Sequence, residues 1–328
     1  MLQDSRGRTI TSLRVSVTDR CNLRCRYCMP EEGVNFIDHA QILRYEEIER
    51  LIRIAIPLGI TKVRLTGGEP LVRRGLIDFI TRLRQLPGLQ NLNLTTNGIL
   101  LSQYAIPLKQ AGITYLNISL DTLNREKFLQ ITRFDQFHTV LEGIRAAKNA
   151  GFTVIKVNVV SRRGLNDAEL FDFVEFADTY DVVLRFIEYM PFFGNNWNAN
   201  EFISSRELRE RLAQRYELIP LDGDRSAPAK TYKIPGHKGR IGFISSVSES
   251  FCAVCNRLRL TSDGYLRPCL HGKIEIDVKG PMRRGASDDD LAELFRAAAR
   301  QKPASHHDFL ERQYQAPACD REMVRIGG

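Results

Sequence analysis

The chain has 328 residues, 43% of them hydrophobic, and its 47 lysines and arginines exceed its 39 aspartates and glutamates to give a net charge of +8. This apolar content excludes a disordered chain and is enough for one large α/β domain or two smaller ones. No run of about eighteen apolar residues occurs, and residues 1–10 lack the features of a signal or transit peptide. We therefore expect a cytoplasmic protein with no membrane partner.

The positive charge indicates an anionic partner without identifying it. The basic residues are scattered along the chain and do not form a run with interleaved aromatic residues. This distribution favours a phosphorylated small molecule in a cleft, and we expect no nucleic-acid partner.

Short apolar segments alternate with helical segments over roughly the first 200 residues. The predicted strands lie at about 13–17, 62–66, 91–95, 114–120, 153–160 and 182–188. Four of the helical segments end in a glycine, at Gly59, Gly88, Gly112 and Gly151. A helix C-cap favours glycine because the position often needs a positive φ. Six βα units predict a parallel sheet with right-handed crossovers, either open and doubly wound or a partial barrel.

Polar and apolar side chains alternate along five of these strands. The polar residues that share one face are Arg14 and Ser16, Arg64 and Thr66, Asn93 and Thr95, Asn117 and Ser119, and Lys156 and Asn158. Parallel strands covered on both faces usually carry continuous apolar runs, so this pattern favours a partial barrel with a polar interior that holds a polar ligand. For any single strand, an exposed edge position is the alternative.

The pattern changes beyond about residue 200. Helices are predicted near 204–215 and 287–301, with a segment rich in glycine, proline and lysine around 223–240. No flexible linker separates this region from the strands before it. We interpret residues 1–200 as the partial barrel and residues 201–328 as an extension that closes it.

Six of the seven cysteines form two groups, and Cys319 stands alone. In a reducing cytoplasm such groups indicate metal binding rather than disulfides. The first group, Cys21, Cys25 and Cys28, follows the first strand, where ligands bind in folds with parallel strands. Three thiolates suit a four-iron cluster with one open iron, whereas a zinc site would need a distant fourth ligand.

The second group, Cys252, Cys255 and Cys269, also supplies three thiolates. His271 is a candidate fourth ligand for structural zinc, and a second open four-iron cluster is the alternative. Arg257 and Arg259, two residues apart on a predicted strand, would place two guanidinium groups on one side of this group, which suits an anionic substrate.

The spacing of the first cysteine group resembles the signature of the radical S-adenosylmethionine superfamily, and Thr66-Gly67-Gly68-Glu69-Pro70 resembles its glycine-rich motif. The second group with its flanking residues, and the final Ile326-Gly327-Gly328, resemble the GTP 3′,8-cyclase family of molybdenum-cofactor biosynthesis. This resemblance runs from about residue 10 to the end. It implies an incomplete (β/α)6 barrel of the TIM type, two 4Fe-4S clusters, and S-adenosylmethionine as cofactor.

The resemblance also implies roles for individual residues. The residues that would contact S-adenosylmethionine are Tyr27, Gly68, Glu69, Ser119 and Met190. Those that would contact GTP are Arg14, Arg64, Thr95, Lys156, Arg257 and Arg259. Arg14, Arg257, Arg259, Gly327 and Gly328 would support the reaction. The sequence departs from the family at His271 and in residues 316–320, which leaves the details of the tail open.

The implied reaction starts when a 5′-deoxyadenosyl radical removes hydrogen from C3′ of GTP. The resulting carbon radical then attacks C8 of the same guanine, and one-electron reduction with protonation gives 3′,8-cyclo-7,8-dihydro-GTP. The implied partners are a flavodoxin-like electron donor, a downstream cyclic pyranopterin monophosphate synthase and a second copy of the chain in a homodimer. A peptide-modifying radical enzyme with an auxiliary cluster is one alternative. A zinc-binding scaffold without catalysis is another.

Overall fold

The chain folds around one twelve-stranded sheet in the computed structural model, which describes residues 1–192, 195, 197–224, 226–305 and 321–327. The six central strands are β1 (Ser12–Ser16), β2 (Lys62–Thr66), β3 (Asn91–Thr96), β4 (Leu116–Ser119), β5 (Ile155–Ser161) and β6 (Val183–Glu188). They are neighbours in chain order and pair in parallel. Each overlaps the strand predicted from the sequence, so the repeated βα units are confirmed.

Helices connect these strands on the outside of the sheet. They are α1 (Tyr45–Ala55), α2 (Leu76–Arg84), α3 (Leu101–Gln110), α4 (Arg125–Thr132), α5 (Phe137–Asn149) and α6 (Leu170–Tyr180). The four glycines predicted at helix ends, Gly59, Gly88, Gly112 and Gly151, all have positive φ. Among the described helices, none combines the length and apolar character needed to span a bilayer.

The core lies between the helices and the apolar face of the sheet. Leu13, Val15, Val63 and Leu65 are fully buried on that face, and α1 covers it with residues such as Leu51. Each buried leucine or valine contributes about 1.5–3 kcal/mol to folding. The opposite face carries the polar side chains, so the apolar core fixes which residues line the interior.

The remaining strands are β7 (Ile219–Leu221), β8 (Lys230–Lys233), β9 (Arg240–Ile244), β10 (Arg257–Leu260), β11 (Tyr265–Arg267) and β12 (Ile276–Asp277). At one edge β10 pairs in parallel with β1, and β11 and β12 follow in antiparallel. At the other edge β9 pairs in parallel with β6, and β8 and β7 follow in antiparallel. The later part of the chain therefore lengthens both edges of the sheet.

The sheet is open within the described residues, which is consistent with a partial barrel. The prediction that the extension closes the barrel is therefore corrected, because its strands are added to opposite edges and those edges do not pair with each other. Four helices accompany these strands: α7 (Ser205–Ala213), α8 (Lys279–Arg283), α9 (Asp288–Arg300) and α10 (Met323–Ile326). The helices predicted near 204–215 and 287–301 correspond to α7 and α9. A division of the chain at residue 200 stays a prediction.

Candidate active site

Strand register aligns the polar residues of the interior face in rows. Arg14 lies opposite Arg64 on one side and Arg259 on the other, and Arg64 lies opposite Asn93. In the next rows, Thr95 is opposite Asn117, and Asn117 is opposite Lys156. The register therefore gathers residues that are far apart in the sequence, including most of those expected to contact GTP.

Six cations share this interior, and we call them the cation cluster: Arg14, Arg64, Lys156, Arg185, Arg257 and Arg259. None of them forms an ion pair with a carboxylate of the described residues. Burial lowers the pKa of Arg14, and repulsion from Arg259 and Arg64 lowers it further. A cluster of buried and half-buried like charges, without carboxylate partners among the described residues, favours binding of a polyanion.

Sequence reasoning missed two members of this interior. Arg185 is buried and donates to Asn158 Oδ1 at 2.9 Å and to Asn117 Oδ1 at 2.5 Å, which links three strands. Tyr115 lies under Lys156, whose Nζ is 4.0 Å from the ring centroid, and its hydroxyl accepts from Arg64 at 3.3 Å. Burial opposes ionisation of Tyr115, but Arg64 and Lys156 outweigh it and lower its pKa.

The first cysteine group lies in the loop after β1. Amide groups of Cys28 and Met29 donate to the carbonyl of Cys25 at 2.9 and 3.1 Å, which makes the loop turn tightly. Burial raises the pKa of Cys21 to about 11, and the pKa of Cys25 is raised by burial and by the neighbouring Cys28 and Cys21. The three thiols therefore lie within electrostatic reach of one another.

The glycine-rich loop after β2 contacts this cysteine loop through backbone atoms. Gly68 donates to the carbonyl of Thr18 at 2.7 Å, and Glu69 donates to the carbonyl of Arg20 at 2.8 Å. A Cβ on Gly67 would lie 2.6 Å from Thr18 O, and one on Gly68 would lie 2.3 Å from Arg20 O. Only glycine allows the two loops to approach this closely.

The side chain of Glu69 is buried and accepts hydrogen bonds from the chain itself. Its donors are Leu71 N at 3.0 Å, Thr96 Oγ1 at 2.8 Å and Asn97 N at 2.7 Å. Burial raises the pKa of Glu69 to about 7, although these donors oppose the shift. The carboxylate therefore ties the glycine-rich loop to the end of β3, and its expected contact with S-adenosylmethionine stays a prediction.

The other expected cofactor contacts lie around the same end of the sheet. Tyr27 donates from its hydroxyl to Asp121 Oδ2 at 2.7 Å, and Asp121 also accepts from Val160 N at 2.8 Å. Ser119 ends β4 and is half-buried. Met190 packs with Phe192 and Ile326 in a small apolar cluster.

The second cysteine group lies at the opposite end of the interior. Cys255 comes just before β10, and Cys269 comes just after β11, which is antiparallel to β10, so both lie at the end of the sheet where β10 begins. Cys21 lies at the other end, because it follows β1 and β1 is parallel to β10. Burial opposes ionisation of Cys255, but the cations Arg257 and Lys302 outweigh it and lower its pKa to about 6. Arg257 also donates to Cys255 Sγ at 3.6 Å.

His271, the candidate fourth zinc ligand, is buried, and its ring lies 4.8 Å from the ring of Phe192. In the part of the chain that the structure describes, no three His, Cys, Asp or Glu side chains are gathered closely enough for a single metal ion. The six grouped cysteines form no disulfides. Cys319 lies outside the described residues.

The tail of the chain enters the interior between the two cysteine groups. The backbone N–H of Val324 lies beside the sulfur of Cys28, where it opposes the rise in pKa that burial causes, and the carbonyl of Gly327 accepts from Arg259 Nη1 at 2.7 Å. Gly327 has a φ of +78° and fits against Ser16 and Thr66. Gly328 lies outside the described residues.

Comparison with known proteins identifies two matching family models. The radical SAM superfamily matches residues 15–177, and a family described as Molybdenum Cofactor Synthesis C matches residues 182–308. The chain is 46% identical over 328 residues to the GTP 3′,8-cyclase of Moorella thermoacetica, with 100% of both chains covered. It is also 46% identical over 306 residues to Molybdenum cofactor biosynthesis protein 1 of Homo sapiens, with 93% of this chain and 48% of that protein covered.

Among solved structures, the chain resembles SuiB of Streptococcus suis bound to S-adenosylmethionine. The TM-score is 0.61 at 14% sequence identity, and the match covers 97% of this chain and 77% of that chain. This likeness shows the shared α/β fold alone.

Proposed function

Because the chain belongs to the GTP 3′,8-cyclase family of radical S-adenosylmethionine enzymes, we propose that its cation cluster binds the triphosphate of GTP. The reaction of this family is the radical cyclisation of GTP, the first step of molybdenum-cofactor biosynthesis, and this chain is an enzyme of that kind. The observation that carries the proposal is a set of six interior cations with no carboxylate partner in the described chain.

The members of the cation cluster suit different parts of a triphosphate. The guanidinium of Arg14 forms no hydrogen bond with a described residue, so its fork is available for two phosphate oxygens. Lys156 supplies a compact charge above Tyr115. Arg185 is already held by Asn117 and Asn158, so it contributes mainly a fixed positive field.

We assign the first 4Fe-4S cluster to Cys21, Cys25 and Cys28, whose three thiols and tight loop fit a cluster with one open iron. When bound, this cluster and S-adenosylmethionine supply the electron transfer and the 5′-deoxyadenosyl radical of the reaction. Gly67 and Gly68 let this loop pack directly against the cysteine loop, and the methionyl part of S-adenosylmethionine would bind beside this contact. Tyr27, Ser119 and Met190 would complete that site.

A second 4Fe-4S cluster on Cys252, Cys255 and Cys269 would bind the guanine end of GTP. The five residues of β1 separate the two cysteine groups along the interior, a rise of roughly 16 Å at about 3.3 Å per residue. A nucleotide between them would place its ribose near the first group and its base near the second. Thr95 and Arg64 line the interior between these two ends.

The chain's own residues then control the radical by position and by exclusion of water. The reacting carbon of the ribose must stay close to the cofactor, since small displacements cost large factors in rate. The tail from Val324 to Gly327 contacts Cys28 at one end and Arg259 at the other, so it covers the interior from one side. We propose that Gly327 holds Arg259 in its binding orientation.

Anaerobic turnover with GTP, S-adenosylmethionine and dithionite tests this function. The expected products are 5′-deoxyadenosine and an isomer of GTP, both identified by mass spectrometry. Formation of 5′-deoxyadenosine that depends on a peptide and not on GTP would instead indicate a peptide-modifying enzyme. A colourless protein that contains zinc and no iron would refute the enzyme assignment.

Three further expectations stay predictions. They are a flavodoxin-like electron donor, a cyclic pyranopterin monophosphate synthase that takes the product, and a homodimer in the cytoplasm. Light scattering of the cluster-loaded protein tests the homodimer, and reduction of the first cluster by a purified flavodoxin tests the donor.

A further inference from the structure

Lys302 connects the two arms of the second cysteine group. It follows α9 and is buried, with 5% of its surface exposed. Its Nζ donates to the carbonyl of Arg257 at 2.7 Å and to the carbonyl of Pro268 at 2.8 Å. Arg257 lies two residues after Cys255, and Pro268 directly precedes Cys269. One ammonium group therefore fixes the backbone beside two of the three cysteines.

The charge of Lys302 has no carboxylate partner among the described residues. A buried ammonium is costly unless an anion or a full set of hydrogen bonds compensates it, and two carbonyls occupy only two of its three N–H groups. Cys255 and Cys269, each within two residues of one of these carbonyls, are able to carry a compensating negative charge as thiolates.

A second residue holds the same segment in place. Arg8 donates to the carbonyl of Pro303 at 2.6 Å and to the carbonyl of Cys252 at 2.6 Å. Its own charge is balanced by an ion pair with Asp4. Arg8 therefore also fixes the segment that carries Lys302 to the backbone of Cys252, the third cysteine. The positive charge of Lys302, unlike that of Arg8, has no carboxylate partner among the described residues.

We propose that Lys302 is a positioning residue for the second iron–sulfur cluster and supplies a permanent positive charge beside it. This inference rests on the proposed function, because it requires a cluster on Cys252, Cys255 and Cys269. A cluster with three thiolates is anionic, and reduction makes it more negative. A fixed cation beside it favours the reduced form, so Lys302 raises the reduction potential of this cluster.

The test isolates the second cluster in the full chain by changing Cys21, Cys25 and Cys28 to serine. In this background, Lys302→Met, Lys302→Gln and Lys302→Arg are compared after anaerobic reconstitution. Lys148→Met is the matched control, because Lys148 also donates to a backbone carbonyl but is paired with Asp181 at 2.8 Å. Iron and sulfide content and the midpoint potential from an EPR-monitored redox titration are measured for each variant.

We expect Lys302→Met and Lys302→Gln to hold less iron or to show a more negative midpoint potential, whereas Lys302→Arg and Lys148→Met stay near the parent. Lys302→Gln keeps a donor without the charge, so it remains informative if the methionine variant does not fold. Unchanged iron content and potential in Lys302→Gln, or equal losses in Lys302→Gln and Lys302→Arg, would overturn the charge role. If the parent chain with three serines binds no iron, the second cluster itself is wrong, and this inference falls with it.

Discussion

Arg259 donates from Nη1 to the carbonyl oxygen of Gly327 at 2.7 Å, which joins a strand of the sheet to the tail of the chain. Arg259 is buried and lies opposite Arg14 in the sheet, so this contact brings the tail into the cation cluster. The tail is therefore part of the wall of the interior, and changes in it should affect the fate of the radical more than its formation.

Gly327→Ala should lower the yield of cyclised GTP by about tenfold or more while both clusters and 5′-deoxyadenosine release are retained. The added Cβ would lie 2.9 Å from Thr66 Cγ2 and 3.0 Å from Ser16 Cβ, at a φ of +78° that disfavours alanine. Both products are quantified by mass spectrometry under saturating GTP.

Gly285→Ala is the matched control for this variant, because Gly285 also has a positive φ but an added Cβ would meet nothing within 4 Å. It should cost about 1–2 kcal/mol of stability and leave the product ratio unchanged. Deletion of Gly327 and Gly328 should reproduce the effect of Gly327→Ala. Full product yield from the shortened chain would show that the tail has no part in the reaction.

Gly68→Ala should weaken binding of S-adenosylmethionine by about tenfold or more, since its Cβ would lie 2.3 Å from Arg20 O and separate the two loops. Equilibrium dialysis of the cofactor against the cluster-loaded protein measures the effect. Gly223→Ala is the control, because an added Cβ there has no neighbour within 4 Å. Normal cofactor affinity in Gly68→Ala would refute the role of the loop contact.

The alternation of polar and apolar residues was enough to predict the strands and the interior face. It missed Arg185 because the flanking residues on that face of β6, Val183 and Ile187, are apolar. Arg185 faces the interior because register places it opposite Asn158. Tyr115 shares strand parity with Asn117, a signal that could have placed it on the same face.

Contacts that depend on tertiary structure left no pattern in the sequence. Lys302 lies about forty-five residues from Arg257, and nothing in its local sequence indicates that it is buried beside the second cysteine group. The same is true of Arg8, which reaches Cys252 across 244 residues. The absence of a linker indicates that residues 201–328 pack against the barrel, but it does not show where their strands pair. The prediction of a closed barrel was wrong because β9 and β10 pair at opposite edges of the sheet.

Cys25→Ser should abolish cleavage of S-adenosylmethionine, because two remaining thiolates no longer hold the first cluster. Cys255→Ser should leave reductive cleavage measurable but uncoupled from GTP, since it alters the site at the other end of the interior. Iron content, 5′-deoxyadenosine and cyclised GTP are measured for both variants. Normal formation of cyclised GTP by Cys255→Ser would contradict the assignment of the second site.

Lys156→Ala should weaken binding of GTP much more than binding of guanosine, because the lost charge faces the phosphates. Lys156 forms no ion pair within the described chain, so its removal breaks only the contact with Tyr115. Equilibrium binding of both ligands to the cluster-loaded protein measures the ratio. Equal losses for the two ligands would rule out a phosphate contact.

The affinity for GTP should fall as the pH rises through the pKa of Lys156. Burial lowers this pKa to about 8, and repulsion from Arg185 and Arg64 adds to the shift. Bound triphosphate favours the ammonium form of Lys156, so binding of GTP above pH 8 takes up a proton. The affinity for GTP is therefore full well below pH 8 and is lost as the pH rises above it. Between pH 7.5 and 9 the loss should reach about eightfold if only the charged form binds.

Lys156→Arg separates this titration from that of the nucleotide, because a guanidinium stays charged over the whole range. In this variant the affinity for GTP should be nearly constant from pH 7.5 to 9, apart from changes that belong to GTP itself. The measurement is a series of binding isotherms at fixed ionic strength for both proteins. The same pH dependence in the two proteins would show that Lys156 does not carry the charge that the triphosphate recognises, and the phosphate contact would then belong to the arginines of the cation cluster.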